Sequence, residues 1–256
     1  MNAAAPRLVD AHAHLVAPEF DADRAEVLER ARAAGVKAVV AVGETLADAE
    51  KNLLLAATPD GMIRPTAGLY PTILDREQAA LLEALVRSER ERLVAIGEVG
   101  LDHWKVRDPA ERELQRELFL GFVRLSAETG LPLNVHSRSA GRAAIDLLLE
   151  AGAERVLLHA FDGRAATALP AVEAGFFFSI PPSIVRSPQK QKLVRRLPLA
   201  SLLVETDSPV LGPEPGVRNE PANVTISVAA IAEIKGVAEE AVIEAVAENQ
   251  RRLFAL

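Results

Sequence analysis

The chain has 256 residues, 49% of them hydrophobic, enough to bury a large core and a length typical of a single α/β barrel as well as of two smaller domains, between which composition does not choose. Its formal charge of -7 argues against a general electrostatic binder of nucleic acid, so an anionic substrate would have to be attracted by locally placed cations. The absence of cysteine excludes disulfides, thiolate nucleophiles and sulfur-held metals; any metal must be held by His, Asp and Glu, and a reducing cytoplasm fits.

Short apolar runs alternate with helical patterns along the chain. Strands are expected at 7–11, 36–42, 63–69, 93–99, 131–136, 155–159, 176–180 and 202–205. Helices are expected at 21–34, 45–57, 75–88, 109–129, 140–151, 165–174, 187–196, 224–235 and 238–249. Asp21 and Asp75 are expected to cap helix starts, Pro109 suits a first turn, and Gly35, Gly130, Gly152 and Gly175 fall where helices should stop. Eight β-α units in strict alternation predict a (β/α)8 TIM-type barrel over 1–256, allowing for distortion, with a doubly wound open sheet as runner-up. No G-x-G-x-x-G follows the first strand, which weakens the dinucleotide-binding alternative. The sequence shows neither a leader segment nor a run of about 18 apolar residues, so a soluble, cytoplasmic protein is expected. The Pro-rich stretch 208–216 is expected to be an ordered loop after the last strand.

Barrel chemistry lies at the C-terminal ends of the strands. His12 and His14 alternate on the first strand and therefore share a face. Glu98 ends the fourth expected strand, His136 the fifth and His159 the sixth, and Asp207 follows the eighth. Singly, each has a packing or capping explanation. Together they bring six nitrogen or oxygen donors to one rim. His103, just past Asp102, is expected to be a loop residue lining the mouth.

The segments DAHAHL at 10–15, GEVGLD at 97–102, NVHSR at 134–138, LHAFDG at 158–163, ETDSP at 205–209, RNEPANV at 218–224 and AENQRRLF at 247–254 resemble the TatD family of metal-dependent deoxyribonucleases, a branch of the amidohydrolase-like barrels. The resemblance implies one divalent ion held by His12, His14, Glu98 and Asp207 and a second held by Glu98, His136 and His159, with Glu98 as the bridge. Donor type favours Zn²⁺ or Mn²⁺, whereas the family is usually described as magnesium-dependent. Two departures stand out: Tyr70-Pro71 where many members carry His-Pro, which leaves a substrate or acid role at Tyr70 in doubt, and Ala160-Phe161-Asp162-Gly163 in place of Cys-Phe-Ser-Gly.

The expected activity is phosphodiester hydrolysis, as a 3′-5′ exodeoxyribonuclease acting on DNA, with single strands or 3′ ends preferred and with no membrane or obligate protein partner. Two metal ions would activate a water, Asp207 would take its proton, and Glu205 is the second base candidate. Arg138 is the phosphate-clamp candidate, Arg186 and Lys190 could track a backbone, and Tyr70, Phe161 and Trp104 could stack bases. The alternative is a small-molecule amidohydrolase or lactonase; many of those end the fourth strand in a carboxylated lysine, where this chain has Glu98.

Overall fold

A computed structural model describes residues 8–58 and 61–256. Among them eight strands form one parallel sheet in sequential order: β1 (Leu8–Ala13), β2 (Val36–Ala41), β3 (Ile63–Ala67), β4 (Ala95–Gly100), β5 (Leu133–His136), β6 (Val156–Leu158), β7 (Phe177–Ile180) and β8 (Leu202–Val204). Every residue of β1, β4 and β5 is buried, as strands covered by helices on one side and by the barrel interior on the other must be. The sheet returns on itself through a bridge between Ala13 and Ser208, with the Asp207 N–H donating to the His12 carbonyl at 2.8 Å and the His14 N–H to the Ser208 carbonyl at 2.8 Å. This is the expected (β/α)8 barrel. Arg7, expected to open the first strand, lies outside the described residues.

The helices that cover it are α1 (Arg24–Ala33), α2 (Leu46–Ala56), α3 (Arg76–Ser88), α4 (Pro109–Thr129), α5 (Gly141–Glu150), α6 (Ala165–Glu173), α7 (Pro188–Arg196), α8 (Val224–Lys235) and α9 (Glu239–Phe254). Asp75 caps α3 by accepting from the N–H groups of Glu77 and Gln78, and Asp108 caps α4 with Pro109 in its first turn. The expected glycine stops all take a positive φ. Asp21 does not cap the start of α1, where Asp23 stands instead. Pro18 starts a 3-10 turn over Pro18–Phe20, the Asp21 carboxylate pairs with Arg24 at 2.5 Å, and α1 begins three residues later than expected.

β8 stops at Val204, one residue short of expectation, because the Asp10 carboxylate takes the N–H of Thr206 at 2.8 Å along with its hydroxyl. α9 runs five residues beyond 249. Its Asn249 amide donates to the carbonyls of Leu199 and Leu202 and its Gln250 amide to that of Val9, which fastens the last helix under both closing strands. Among the described residues no helix is long and apolar enough to cross a membrane.

Candidate metal centre and its cavity

Glu98 stands at the middle of a buried cluster. Its Oε1 lies 2.7 Å from Nδ1 of His136 and 2.8 Å from Nε2 of His159, while its Oε2 lies 3.4 Å from Nε2 of His14 and 3.6 Å from Nε2 of His12. One carboxylate oxygen therefore serves each pair of histidines. Asp207 Oδ1 completes the first pair, 3.5 Å from His12 Nε2 and 3.4 Å from His14 Nε2, and those two nitrogens are 3.3 Å apart.

Backbone geometry permits this convergence. Gly97 has φ 150° and Gly100 φ 144°; a Cβ would meet the Asn134 carbonyl oxygen at 2.5 Å at the first and that of His136 at 2.0 Å at the second. Larger residues would push β4 from β5 and carry Glu98 away from His136.

A divalent ion fits these donors. Five of the six edges among His12, His14, Glu98 and Asp207 span 3.3–3.6 Å, close to the edge of a tetrahedron whose metal–donor bonds are about 2.1 Å. Glu98 Oε2 and His159 Nδ1 are buried without a hydrogen-bond partner, a costly state for polar atoms unless an ion or water meets them. Among the described residues three donor groups emerge: His12 with His14 and Glu98, Glu98 with His136 and His159, and His12 with His159 and Glu205, the last sharing members with the others.

Electrostatics agree. Burial opposes a charged His12 ring, yet Glu98, Asp207 and Glu205 overcome it and hold its pKa up at about 10. Burial also opposes charge on His136, and Asp102 and Glu98 raise it to about 9. Burial together with the neighbouring His12 charge takes His159 down to about 4. Burial would raise Glu98 and Asp207, but the surrounding histidines hold both below the usual carboxylate range. The carboxylates of the cluster thus favour positive charge beside them, protons included.

Side chains beyond the donors fix their direction. His12 Nδ1 bonds Asn134 Oδ1 at 2.9 Å, and the Asn134 amide donates to the Ala11 carbonyl at 3.0 Å. His136 Nε2 lies 3.0 Å from Asp102 Oδ2, and the other Asp102 oxygen accepts the N–H groups of Trp104 and Lys105 at 2.9 and 2.7 Å. Buried Asn219 donates to the carbonyls of Thr206 and Val210 at 2.7 and 2.8 Å, holding the turn that carries Asp207. The sequence offered these three only inside quoted motifs. For Asn134 a signal was available, since it alternates with His136 on β5 and must share its face.

The remaining candidates divide. A cavity of about 790 Å³ opens over the cluster, and Tyr70, Arg138 and Lys190 line it. Tyr70 meets His136 edge to face with ring centroids 5.1 Å apart, and burial with the nearby carboxylates pushes its hydroxyl above the usual range, so it stays a phenol. Lys190 is buried, its Nζ donating to the Ala160 carbonyl at 3.0 Å. Glu205 is fully buried with both oxygens engaged, by the Ala160 N–H at 2.8 Å and the Ser179 hydroxyl at 2.5 Å; burial, with Asp207 adding to it, raises its pKa to about 8. That is the geometry of a residue holding the turn after His159.

Three expectations change. Phe161 is 1% exposed against Phe178 in the core and offers no face to a base. Arg186 is absent from the cavity lining; its Nε donates to the Gly212 carbonyl at 3.2 Å and so ties down the 208–216 loop. His103 lines a separate depression of about 290 Å³ beside α4 rather than the mouth.

Residues 9–255 match the family model described as TatD related DNase. The chain is 48% identical to the human "Deoxyribonuclease TATDN3" over 99% of this chain and 97% of that protein. It is 35% identical to the Bacillus subtilis "Uncharacterized metal-dependent hydrolase YabD" over 96% and 98% of the two chains. Among solved structures, the Escherichia coli TatD homologue YJJV superposes with a TM-score of 0.91 at 26% identity, covering 98% of this chain and 99% of that one. A match over nearly the whole chain, with relatives near half identity on the same barrel, makes this protein a member of the TatD family of metal-dependent hydrolases.

Proposed function

We propose that the chain, acting as one domain in the cytoplasm, hydrolyses phosphodiester bonds in DNA with two divalent ions, as a 3′-5′ exonuclease on single strands or 3′ ends. The observation that carries this reading is the division of labour at Glu98, one oxygen toward His12 and His14 and the other toward His136 and His159. His12, His14, Glu98 and Asp207 would hold one ion and Glu98, His136 and His159 the second. What two bound ions supply is Lewis acidity, which lowers the pKa of water and offsets charge on a phosphate.

The chain's own groups do the rest. Asp207, kept ionised by the histidines around it, is the proton acceptor. Arg138 at the cavity edge presents a guanidinium suited to two phosphate oxygens. Lys190, held at the Ala160 carbonyl, adds a second basic group to the lining, and Tyr70 keeps its phenolic proton and can donate it to a substrate oxygen. Glu205, with both oxygens occupied, positions His159 and its turn more than it moves protons.

The test is a metal-dependence series with Mg²⁺, Mn²⁺ and Zn²⁺ on 5′-labelled single-stranded DNA beside ester, lactone and amide substrates. Stepwise loss of nucleotides from the 3′ end supports the reading. Turnover of a lactone or amide with none of DNA would replace it with the amidohydrolase alternative.

A further inference from the structure

The rim of the cavity is electrically lopsided. On the side built after β1 and β2 it carries Glu19, Asp21, Glu44 and Asp48, against Lys51 alone among the described lining residues of that side. On the side built after β4 and β5 lies Trp104, 44% exposed, with Arg138 Cζ 3.8 Å and Lys105 Nζ 4.8 Å from its ring centroid. Arg107 joins them by donating from Nε to the Trp104 carbonyl at 3.2 Å. Arg138 belongs to the cavity edge, so this cationic group starts at the mouth and continues outward.

The group is held in place before any ligand arrives. Asp102 accepts the N–H groups of Trp104 and Lys105, and the Arg138 carbonyl accepts that of His103 at 3.0 Å, which joins the two loops. An indole flanked by guanidinium and ammonium groups combines a stacking surface with phosphate partners, the two elements that bind single strands without regard to sequence. On a protein of net charge -7 such a group is also where a polyanion can approach, whereas the acidic side, where among the described residues only Asp21 of the four carboxylates is paired with an arginine, Arg24, repels one.

We propose that a single strand engaged at the metal centre leaves the cavity over Trp104, Lys105, Arg107 and Arg138, and not over the wall of Glu19, Asp21, Glu44 and Asp48. This rests on the phosphodiesterase reading above and adds to it a direction. A strand accommodated on one side only ends at the acidic wall, so the enzyme attacks a terminal linkage and the released anion meets carboxylates that favour its departure.

Trp104 is the only tryptophan in the chain, so its emission reports on this surface alone. A 12-residue oligothymidylate is mixed with the metal-loaded protein in a stopped-flow instrument, which records binding ahead of turnover, with anisotropy of a labelled oligonucleotide giving the affinity. Binding quenches Trp104 emission. Lys105→Glu with Arg107→Glu weakens binding at least tenfold and lowers the salt slope by about 1.4, two contacts at about 0.7 each, while Lys51→Glu changes affinity less than twofold. Hydrolysis of p-nitrophenyl phosphodiesters stays the same in the Lys105/Arg107 double variant. Binding with unchanged emission, or a Lys51→Glu loss as large as that of the double variant, overturns the strand path and leaves the phosphodiesterase reading standing. An oligonucleotide that neither binds nor is cut overturns both.

Discussion

The imidazole of His136 is held between two carboxylates, with Nε2 3.0 Å from Asp102 Oδ2 and Nδ1 turned to Glu98. Asp102 therefore sets which nitrogen of His136 faces the cluster. Replacement by Asn keeps an oxygen for the Trp104 and Lys105 N–H groups but turns an amide donor toward Nε2. Metal affinity should fall about 10–100-fold, the usual effect of removing such a partner. Metal titration by calorimetry checks it, and an unchanged affinity would show that His136 needs no orienting group.

Glu98 faces both histidine pairs, His12 with His14 and His136 with His159, whereas His136 and His159 are assigned to the second ion alone. His136→Ala and His159→Ala should each lower bound metal from about two ions per chain to one, while Glu98→Gln should deplete both. Elemental analysis after gel filtration decides this. Two ions retained in both histidine variants would reject the assignment.

Asp207 and Glu205 should separate in kinetics. Asp207→Asn removes the proton acceptor and one anionic donor, so turnover should drop about 10²–10⁴-fold and stay low at saturating metal. Glu205→Gln keeps a carbonyl oxygen for the Ala160 N–H and turns an amide N–H donor toward the Ser179 hydroxyl oxygen, so it should cost much less. Full rescue of Asp207→Asn by excess metal would make Asp207 a donor only.

Metal should also stabilise the fold. An ion present at about 100 times its Kd contributes about 2.7 kcal/mol, a rise in Tm of roughly 5–10 °C for a chain of this size. Binding must displace protons from His12 and His136, whose pKa values are held up at about 10 and 9. Acid therefore weakens the metal's hold, and the Tm difference should shrink as pH falls from 9 to 6. Melting curves with and without chelator at several pH values measure it; a difference that grows in acid would contradict the cluster electrostatics.

The Phe161 ring leaves no room at Gly163, where a Cβ would come within 2.5 Å of Phe161 Cζ. Gly163→Ala should destabilise the protein by about 1–3 kcal/mol through overpacking. An unaltered denaturation midpoint would show that the ring can shift.

The barrel and the convergence of the six candidate donors were legible because each depends on local pattern: an apolar run for the strand, a polar residue at its end, and alternation that places His12 beside His14. Phe161 was misjudged because its burial depends on Gly141 and Phe178, partners from other loops and strands that no local pattern announces. Arg186 was misplaced for a similar reason, since Gly212 captures it from 26 residues away. Asp102, one residue past a glycine and a leucine, has the local look of a loop carboxylate. Only the approach of β5 to β4 gives it His136 as a partner.

His12 and His14 lie at the end of the first strand and Asp207 just beyond the last, and these are the two edges that meet where Ala13 bridges Ser208. The first ion would therefore be gripped across the join between the first and the last strands of the sheet. During synthesis that grip has no counterpart until Asp207, about 190 residues after His14, has been made. Metal capture at this position is then a late event in maturation, and a fragment lacking the last strand keeps a pair of histidines with no carboxylate from the far edge to close on.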